Sequence, residues 1–330
     1  MAKTAKAKAP GVPRARRAHR DDAEQRNRLI LVGAVVAVIL IAAGVIAYGW
    51  WATEIKPLGD TVLKVGDIEI TLGHLERRLR QELPDDLTGR NPLVYPDSVL
   101  ADLQREALLI EGSGALNIEV SEEEVTAEIR LRGGLAEDVE ADVYAAEFAR
   151  QIDESGLHVG EYRQMLRASL FEQKVREYYT FIAPANEAMV RGRWIVTDER
   201  GDIDAALLRL AAGEEFSEVA TELSRDSVGA TREGDLDWSP RGTFGFIPED
   251  VEDYLFTAEA GVPSDVIDDE GIYYIVETVE RDDNRAVDEV TRPRIAIRDM
   301  NEWLAELPNT IAVERNFDQE DAIKALEDVI

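Results

Sequence analysis

The sequence predicts an α+β protein that begins with a single membrane-spanning helix. Three observations support this: a charge-free apolar run at residues 29–50, helical periodicity over most of residues 60–183, and a mixed strand-and-helix pattern over residues 188–283. With 330 residues and 45% hydrophobic side chains, the chain is long enough for two or three domains. We therefore expect a mostly helical domain followed by a smaller domain of four strands and surrounding helices.

Charge and cysteine content exclude several classes of function. The formal net charge is −30, but residues 1–28 hold nine Lys or Arg and three acids, so this tail carries +6 and the rest −36. Such an acidic body repels nucleic acid, and we expect no nucleic-acid partner. Its surface is either simply solvated or forms an acidic groove that selects basic clients. The absence of cysteine excludes disulfides, thiolate zinc sites and cysteine nucleophiles.

Residues 29–51 are predicted to form the membrane anchor. The first 22 of them, up to Trp50, carry no charge, and about 20 apolar residues cross a bilayer core. Tyr48 and Trp51 flank Trp50, and aromatic rings favour the headgroup interface. Because the basic tail at 1–28 precedes the run, the N-terminus is predicted to be cytoplasmic and the remainder extracytoplasmic. The alternative is a cleaved signal peptide, whose apolar region is shorter, at about 7–15 residues.

The segment that follows the anchor, residues 60–183, is predicted to be mainly helical. Two alternating apolar runs flank a Gly-Asp pair at 66–67, which indicates a small hairpin. Thr71 is expected to cap the first helix, and Ser98 to cap the next one after a turn-rich loop. Ser121 is followed by three glutamates, the pattern of a capping box at a helix start.

Further elements are predicted from periodicity alone. In the rest of the helical segment and at the C-terminus they are helices at 139–154, 161–179, 294–307 and 319–329 and a short strand within 310–317. In the second domain they are strands at 193–197, 235–238, 265–267 and 272–279 and helices within 202–223 and 249–257.

Two sets of motifs occur in a distinctive order. The helical segment carries V-x-x-V-G-D-x-x-I from Val62, L-x-x-E-A-L-L-I-E from Leu103 and I-x-V-S-E-E-E-V from Ile118. The second domain carries RWIVT at 193–197, LSRDS at 223–227, GDLDW at 234–238 and GIYYIV at 271–276. Together they resemble the PrsA/SurA-type foldases, in which a helical chaperone domain precedes a parvulin, or PpiC-type, peptidyl-prolyl isomerase domain.

The resemblance implies a domain organisation. Residues 1–28 would be a basic cytoplasmic tail, and residues 60–183 a helical chaperone domain that residues 290–330 complete. Residues 188–283 would be a parvulin-like domain, an antiparallel four-stranded sheet with surrounding helices.

The resemblance also implies site residues. Asp226 matches the position that carries Cys or Asp in parvulins, while Trp194 and Tyr273 stand where the paired histidines usually lie. Glu233 and Asp237 replace two glycines of the usual loop, which commonly supply positive φ. The apolar positions of the proline pocket or its wall are Leu236, Phe244, Phe246, Val251 and Phe256. Whether Phe244 or Phe246 substitutes for the usual Met is left open by a short insertion.

The function implied is that of a peptidyl-prolyl cis-trans isomerase, anchored in a bacterial membrane, that acts on newly exported polypeptides and their Pro-containing segments. The alternative is a catalytically inactive holdase that uses the parvulin fold only to bind peptides. No cofactor or metal is expected, because the three histidines are scattered and form no ligand pattern. A homodimer through the helical domain is compatible with the sequence.

Overall fold

The computed structural model describes residues 40–49, 56–84, 86–226, 232–245, 247–327 and 329. Within these ranges the chain forms a helical part with a three-stranded sheet and a second part built on a four-stranded antiparallel sheet. The predicted mixed architecture and the four-stranded antiparallel sheet are therefore confirmed.

The helical part draws on both ends of the described chain. Its strands are β1 (Thr61–Val65), β2 (Ile68–Thr71) and β7 (Val313–Arg315). Its helices are α1 (Leu72–Glu82), α2 (Tyr95–Gly112), α3 (Glu122–Arg132), α4 (Ala141–Ser155), α5 (Val159–Ile182), α9 (Thr291–Glu306) and α10 (Gln319–Glu327).

Local sequence signals explain several of these boundaries. Gly66 turns the β1–β2 hairpin at a φ of +56°, a conformation that favours glycine. The Thr71 hydroxyl accepts a hydrogen bond from the His74 backbone N–H, as expected of a helix cap. Ser121 and Glu124 form both halves of the capping box that begins α3.

The expectation that Ser98 caps the second helix was wrong. α2 begins three residues earlier, at Tyr95, after a short 3-10 turn at Pro92–Val94 that Asn91 caps. Pro96 lies in the first helical turn, where its fixed φ suits the helix and its missing N–H costs no hydrogen bond.

The C-terminal elements return to the core of the helical part. β7 pairs antiparallel with β1 and thereby extends the hairpin to three strands. Met300 and Leu304 of α9 and Ala325 of α10 are buried in the same apolar cluster as Leu63 and Leu103. A single hydrophobic core therefore joins residues more than 200 positions apart in the sequence.

The second part is a sheet in the order β4-β3-β6-β5, with every pair antiparallel. Its strands are β3 (Asn186–Thr197), β4 (Asp235–Pro240), β5 (Ile267–Asp269) and β6 (Ile272–Ala286), and its helices are α6 (Arg200–Ala211), α7 (Phe216–Leu223) and α8 (Glu249–Thr257). Successive residues of a strand face opposite sides of the sheet. Ile195 and Ile275 accordingly pack against α6 and α7, whereas Val190 and Val276 pack against α8.

The predicted membrane anchor lies largely outside the described residues, which include only 40–49 of it. These ten residues are helical and exposed. Within the described ranges, no helix combines the length and the hydropathy needed to cross a bilayer.

Candidate active site

A carboxylate held by two donors lies beside β3, an inner strand of the four-stranded sheet. Asp226, three residues beyond the end of α7, accepts a hydrogen bond from the Trp194 indole N–H at 3.2 Å and another from the Ser224 hydroxyl at 2.6 Å. Trp194 lies on the central strand β3. Both carboxylate oxygens of Asp226 therefore have a fixed neighbour, and the side chain is oriented by its surroundings.

Hydrogen bonds from backbone N–H groups connect the segment that carries Asp226 to strand β3. The Val196 N–H donates to the Ser224 hydroxyl oxygen at 3.0 Å, and the Arg225 N–H donates to the Val196 carbonyl at 2.8 Å. Ser224 is buried, while Asp226 is half-buried. The segment after α7 thus reaches β3 through hydrogen bonds rather than through regular strand pairing.

An apolar wall belongs to the same side-chain cluster as Trp194. Leu236 of β4, Phe244 and Phe256 are all half-buried members of this cluster. The rings of Phe244 and Phe256 meet edge to face, with centroids 6.4 Å apart. Val251 is fully buried, so it supports the wall from behind and has no surface to offer a ligand. Phe246, the fifth apolar residue expected here, lies outside the described residues.

The two consecutive tyrosines of β6 lie on opposite faces of the sheet. Tyr274 joins the Trp194 cluster, with its ring centroid 6.1 Å from the indole, whereas Tyr273 packs with the cluster beneath α6 and α7. The Tyr273 ring is covered on one side by the Arg200 guanidinium. Strand pairing therefore places Tyr274, and not the expected Tyr273, beside the Trp194–Asp226 pair.

Burial affects the protonation of the Tyr274 phenol. Loss of solvent raises the pKa of its phenol, and the negative charges of Asp269 and Asp226 raise it further. The hydroxyl therefore keeps its proton at neutral pH and remains a hydrogen-bond donor. Sequence reasoning missed Tyr274 because the pair Tyr273-Tyr274 gives no sign of which ring faces the site.

The segment around the start of β4 has a glycine-like backbone at two positions where glycine is absent. Glu233 has a φ of +56° and Asp237 a φ of +57°. Between them, Gly234 has a φ of +81° and accepts the Trp194 N–H at 3.0 Å, and a Cβ on Gly234 would lie 2.6 Å from the Trp194 carbonyl oxygen. Glu233 and Asp237 are therefore two non-glycine residues in the left-handed region, where a Cβ is strained.

This arrangement suits a substrate in which an apolar group is attached next to a polarised carbonyl group. The aromatic wall can hold a small ring and exclude water, and the oriented carboxylate and the phenol can interact with charge that changes on the neighbouring amide. Among the residues that the structure describes, no group of three or more His, Asp or Glu side chains is arranged to hold a metal ion.

A concave surface lies between α3 and α5 in the helical part. It has a volume of about 430 Å³, and its apolar lining includes Leu131, Leu135 and Leu170. Its charged lining consists of the glutamates Glu124, Glu128, Glu137 and Glu177 together with Arg130 and Lys174. The cleft therefore combines apolar contact area with a lining of net negative charge.

Two family models match the chain in the order that the two parts follow. The SurA-like N-terminal domain matches residues 24–176, and the PPIC-type PPIase domain matches residues 198–280. The second part of the chain is therefore a domain of the peptidyl-prolyl isomerase type.

The chain is also similar to two foldase proteins and to one solved structure. The foldase protein PrsA of Geobacillus kaustophilus is 23% identical over 58% of this chain and 65% of the relative, so the chain spans about two thirds of that protein's length. The foldase protein PrsA of Halalkalibacterium halodurans is 24% identical over 69% of this chain and 78% of the relative. The solved structure of PrsA from Bacillus anthracis has 16% identity, covers 70% of this chain and 94% of its own, and gives a TM-score of 0.38.

Proposed function

We propose that this chain, in which a SurA-like N-terminal domain precedes a PPIC-type peptidyl-prolyl isomerase domain, is a foldase that isomerises X-Pro bonds in exported polypeptides. The observation that carries the proposal is that the Asp226 carboxylate is oriented by Trp194, whose ring belongs to the same apolar cluster as Phe244 and Phe256. Fold alone does not assign activity, and this site supplies the parts that the reaction needs.

The reaction requires no covalent chemistry. Amide resonance sets a barrier of about 18–20 kcal/mol to rotation of the X-Pro bond, and the barrier falls when the twisted amide is favoured over the planar one. The aromatic wall would hold the proline ring and remove water from the preceding carbonyl. Asp226 and the Tyr274 hydroxyl would interact with the charge that redistributes when resonance is lost.

A non-catalytic holdase is the second candidate, and two observations favour it. Trp194 and Tyr273 match the positions where parvulins usually carry histidines, so the usual imidazole pair is missing. The cleft bordered by Leu131 and Leu170 offers a separate apolar surface for an unfolded chain. Its lining, in which glutamates outnumber Arg130 and Lys174, would favour segments that carry Lys or Arg next to apolar residues.

The proposed location is the outer face of a bacterial cytoplasmic membrane. The charge-free run within residues 29–51 would anchor the chain, and the +6 tail at residues 1–28 would remain in the cytoplasm. Both domains would then face newly exported polypeptides.

Proline-limited refolding of a model protein tests the proposed activity. The purified full-length chain is compared with Asp226→Ala, and aggregation of a proline-free unfolded client is followed in parallel. Acceleration that falls in the variant supports the isomerase. Suppressed aggregation without any acceleration in either protein would replace it with the holdase.

A further inference from the structure

The two faces of helix α9 contact different parts of the molecule. Met300 and Leu304 are buried in the core of the helical part. Arg294 and Arg298, one helical turn apart, donate hydrogen bonds to the PPIC-type domain, and Arg298 also pairs with Asp299 of its own helix. A helix that belongs to the chaperone domain therefore contributes side chains to the surface of the isomerase domain.

The Arg294 side chain donates two hydrogen bonds to a single short segment of that domain. Its guanidinium donates to the Ser239 hydroxyl at 2.9 Å and to the Thr243 carbonyl at 2.5 Å. Ser239 is fully buried and Thr243 nearly so. A single planar side chain thus spans the two ends of the turn between β4 and Phe244.

Arg298 donates a hydrogen bond to the middle of the same turn. It donates to the Arg241 carbonyl at 2.9 Å and pairs with Glu187 of β3 at 2.6 Å, and only 16% of its side chain is exposed. Its aliphatic stem also packs on Gly242, where an added Cβ would lie 2.8 Å from the Arg298 Cδ. The arginine and the turn are therefore closely fitted.

This turn, residues 239–245, is called the pocket loop here because it carries Phe244. Its opposite side is held by α8, where the Gly242 N–H donates to Glu252 at 2.7 Å and Arg241 pairs with Asp253 at 2.5 Å. Arg241 also lies over the Phe256 ring, 4.7 Å from its centroid. Beyond Pro240 the loop has no strand ladder, so side chains from α8 and α9 supply these bonds.

We propose that Arg294 and Arg298 are positioning residues for the proline pocket, through which the chaperone domain sets the place of Phe244 in the isomerase domain. The inference rests on the proposed isomerase function for its kinetic readout. The two arginines act on substrate through the pocket loop and do not touch it themselves.

The physical reason is that a buried hydrogen-bond acceptor is unfavourable unless a donor is paired with it. Without Arg294, the Thr243 carbonyl and the Ser239 hydroxyl lose their guanidinium partner inside the protein, and an unpaired buried group favours any rearrangement that exposes it to water. The loop would then sample positions in which Phe244 leaves Phe256. Because the pocket would still form part of the time, binding should weaken more than the chemical step slows.

The test uses the full-length chain with Arg294→Gln, Arg298→Gln and Ser239→Ala, and Arg105→Gln as control. Ser239→Ala removes one Arg294 bond from the isomerase side without altering α9. Arg105 pairs with Glu172 inside the helical part at 3.4 Å. The readouts are kcat and KM on a chromogenic Ala-Pro tetrapeptide, the Kd of a non-reactive fluorescent Pro-containing peptide, and hydrogen exchange of residues 239–245.

We expect the Arg294 and Arg298 variants to raise KM and Kd about fivefold with kcat within about twofold, and to speed exchange in the pocket loop. Ser239→Ala should show a smaller change of the same kind, Arg294→Lys should restore part of the affinity, and Arg105→Gln should match the wild type. Faster loop exchange with unchanged KM and Kd, or unchanged exchange, would overturn the proposal. A wild-type chain without turnover would refute the isomerase function, while peptide affinity and loop exchange would still decide this inference.

Discussion

The Trp194 indole donates a hydrogen bond to one oxygen of Asp226 at 3.2 Å, while the Ser224 hydroxyl donates to the other at 2.6 Å. An indole N–H can only donate, so Trp194 presents Asp226 with a donor whatever the pH. A histidine at this position could exchange donor and acceptor roles. The tryptophan therefore gives the site a more rigid, single-state arrangement.

Asp226→Asn is expected to slow isomerisation of a Pro-containing tetrapeptide by about tenfold in kcat, with peptide affinity within about twofold. The amide keeps the size of the side chain but lacks the negative charge, and its NH2 group would face one of two donors. Coupled-protease kinetics measure kcat and KM. Asp204→Asn on α6, which removes an exposed carboxylate paired with Arg200, is the matched control. Equal rates for the Asn variant and the wild type would remove Asp226 from the mechanism.

Tyr274→Phe is expected to lower kcat/KM about three- to tenfold, and Tyr273→Phe to leave it unchanged within error. The structure places only the Tyr274 ring in the Trp194 cluster, while Tyr273 lies across the sheet. Both substitutions remove a single hydroxyl, so each controls for the other. A larger loss in the Tyr273 variant would show that the strand has the opposite facing in solution.

Glu233→Gly is expected to stabilise the protein by about 0.5–1 kcal/mol. A glutamate at a φ of +56° is strained by its Cβ, and glycine relieves that strain. Glu270, at a φ of +50° in the β5–β6 hairpin and also followed by glycine, is the matched site away from the pocket. Guanidinium unfolding followed by tryptophan fluorescence measures the free energy of unfolding.

The neighbouring Gly234 gives the opposite result. Gly234→Ala is expected to destabilise the protein by about 2 kcal/mol or more, because its Cβ would lie 2.6 Å from the Trp194 carbonyl oxygen. A stabilising Gly234→Ala, or a destabilising Glu233→Gly, would contradict the backbone conformation described for this loop.

His74 is expected to make the folded state less stable in acid. Burial lowers its pKa to about 4, helped by Arg78, Arg77 and His158 and opposed by Glu161. Its ordinary pKa is 6.5, so between pH 6.5 and about 4 the unfolded chain binds a proton that the folded chain does not. The stabilisation is therefore complete above pH 6.5 and falls by roughly 3 kcal/mol as the pH drops to 4.

The measurement is the free energy of unfolding from pH 7.5 to 4 for the wild type and His74→Leu. Within the described residues, the Nε2 of His74 has no hydrogen-bond partner, so leucine should be tolerated. The difference between the two proteins should shrink or change sign with acidification, in favour of leucine. His19→Gln, in the basic N-terminal tail, controls for loss of a histidine as such. A pH-independent difference would show that His74 is accessible to protons in the folded state.

Local signals in the sequence were sufficient for much of the secondary structure. The Gly66 turn, the Thr71 cap and the Ser121 capping box depend on residues within a few positions of one another, so they are readable without the fold. The start of α2 was misplaced because Ser98 and Pro96 both suit a helix N-terminus, whereas the chain caps a 3-10 turn with Asn91 and continues from that turn directly into α2 at Tyr95.

The sequence by itself determined the order of the two parts, the strand-and-helix pattern of each and the candidate carboxylate, because periodicity, caps and short motifs are local properties. Only the tertiary structure decided that Tyr274 and not Tyr273 lies beside Trp194, since the facing of β6 depends on its register with β3, in which Tyr274 pairs with Val196, 78 residues earlier in the chain. It alone also brought Arg294 and Arg298 onto the pocket loop, because the C-terminal helix must first pack into the N-terminal core before its charged face can meet the second part.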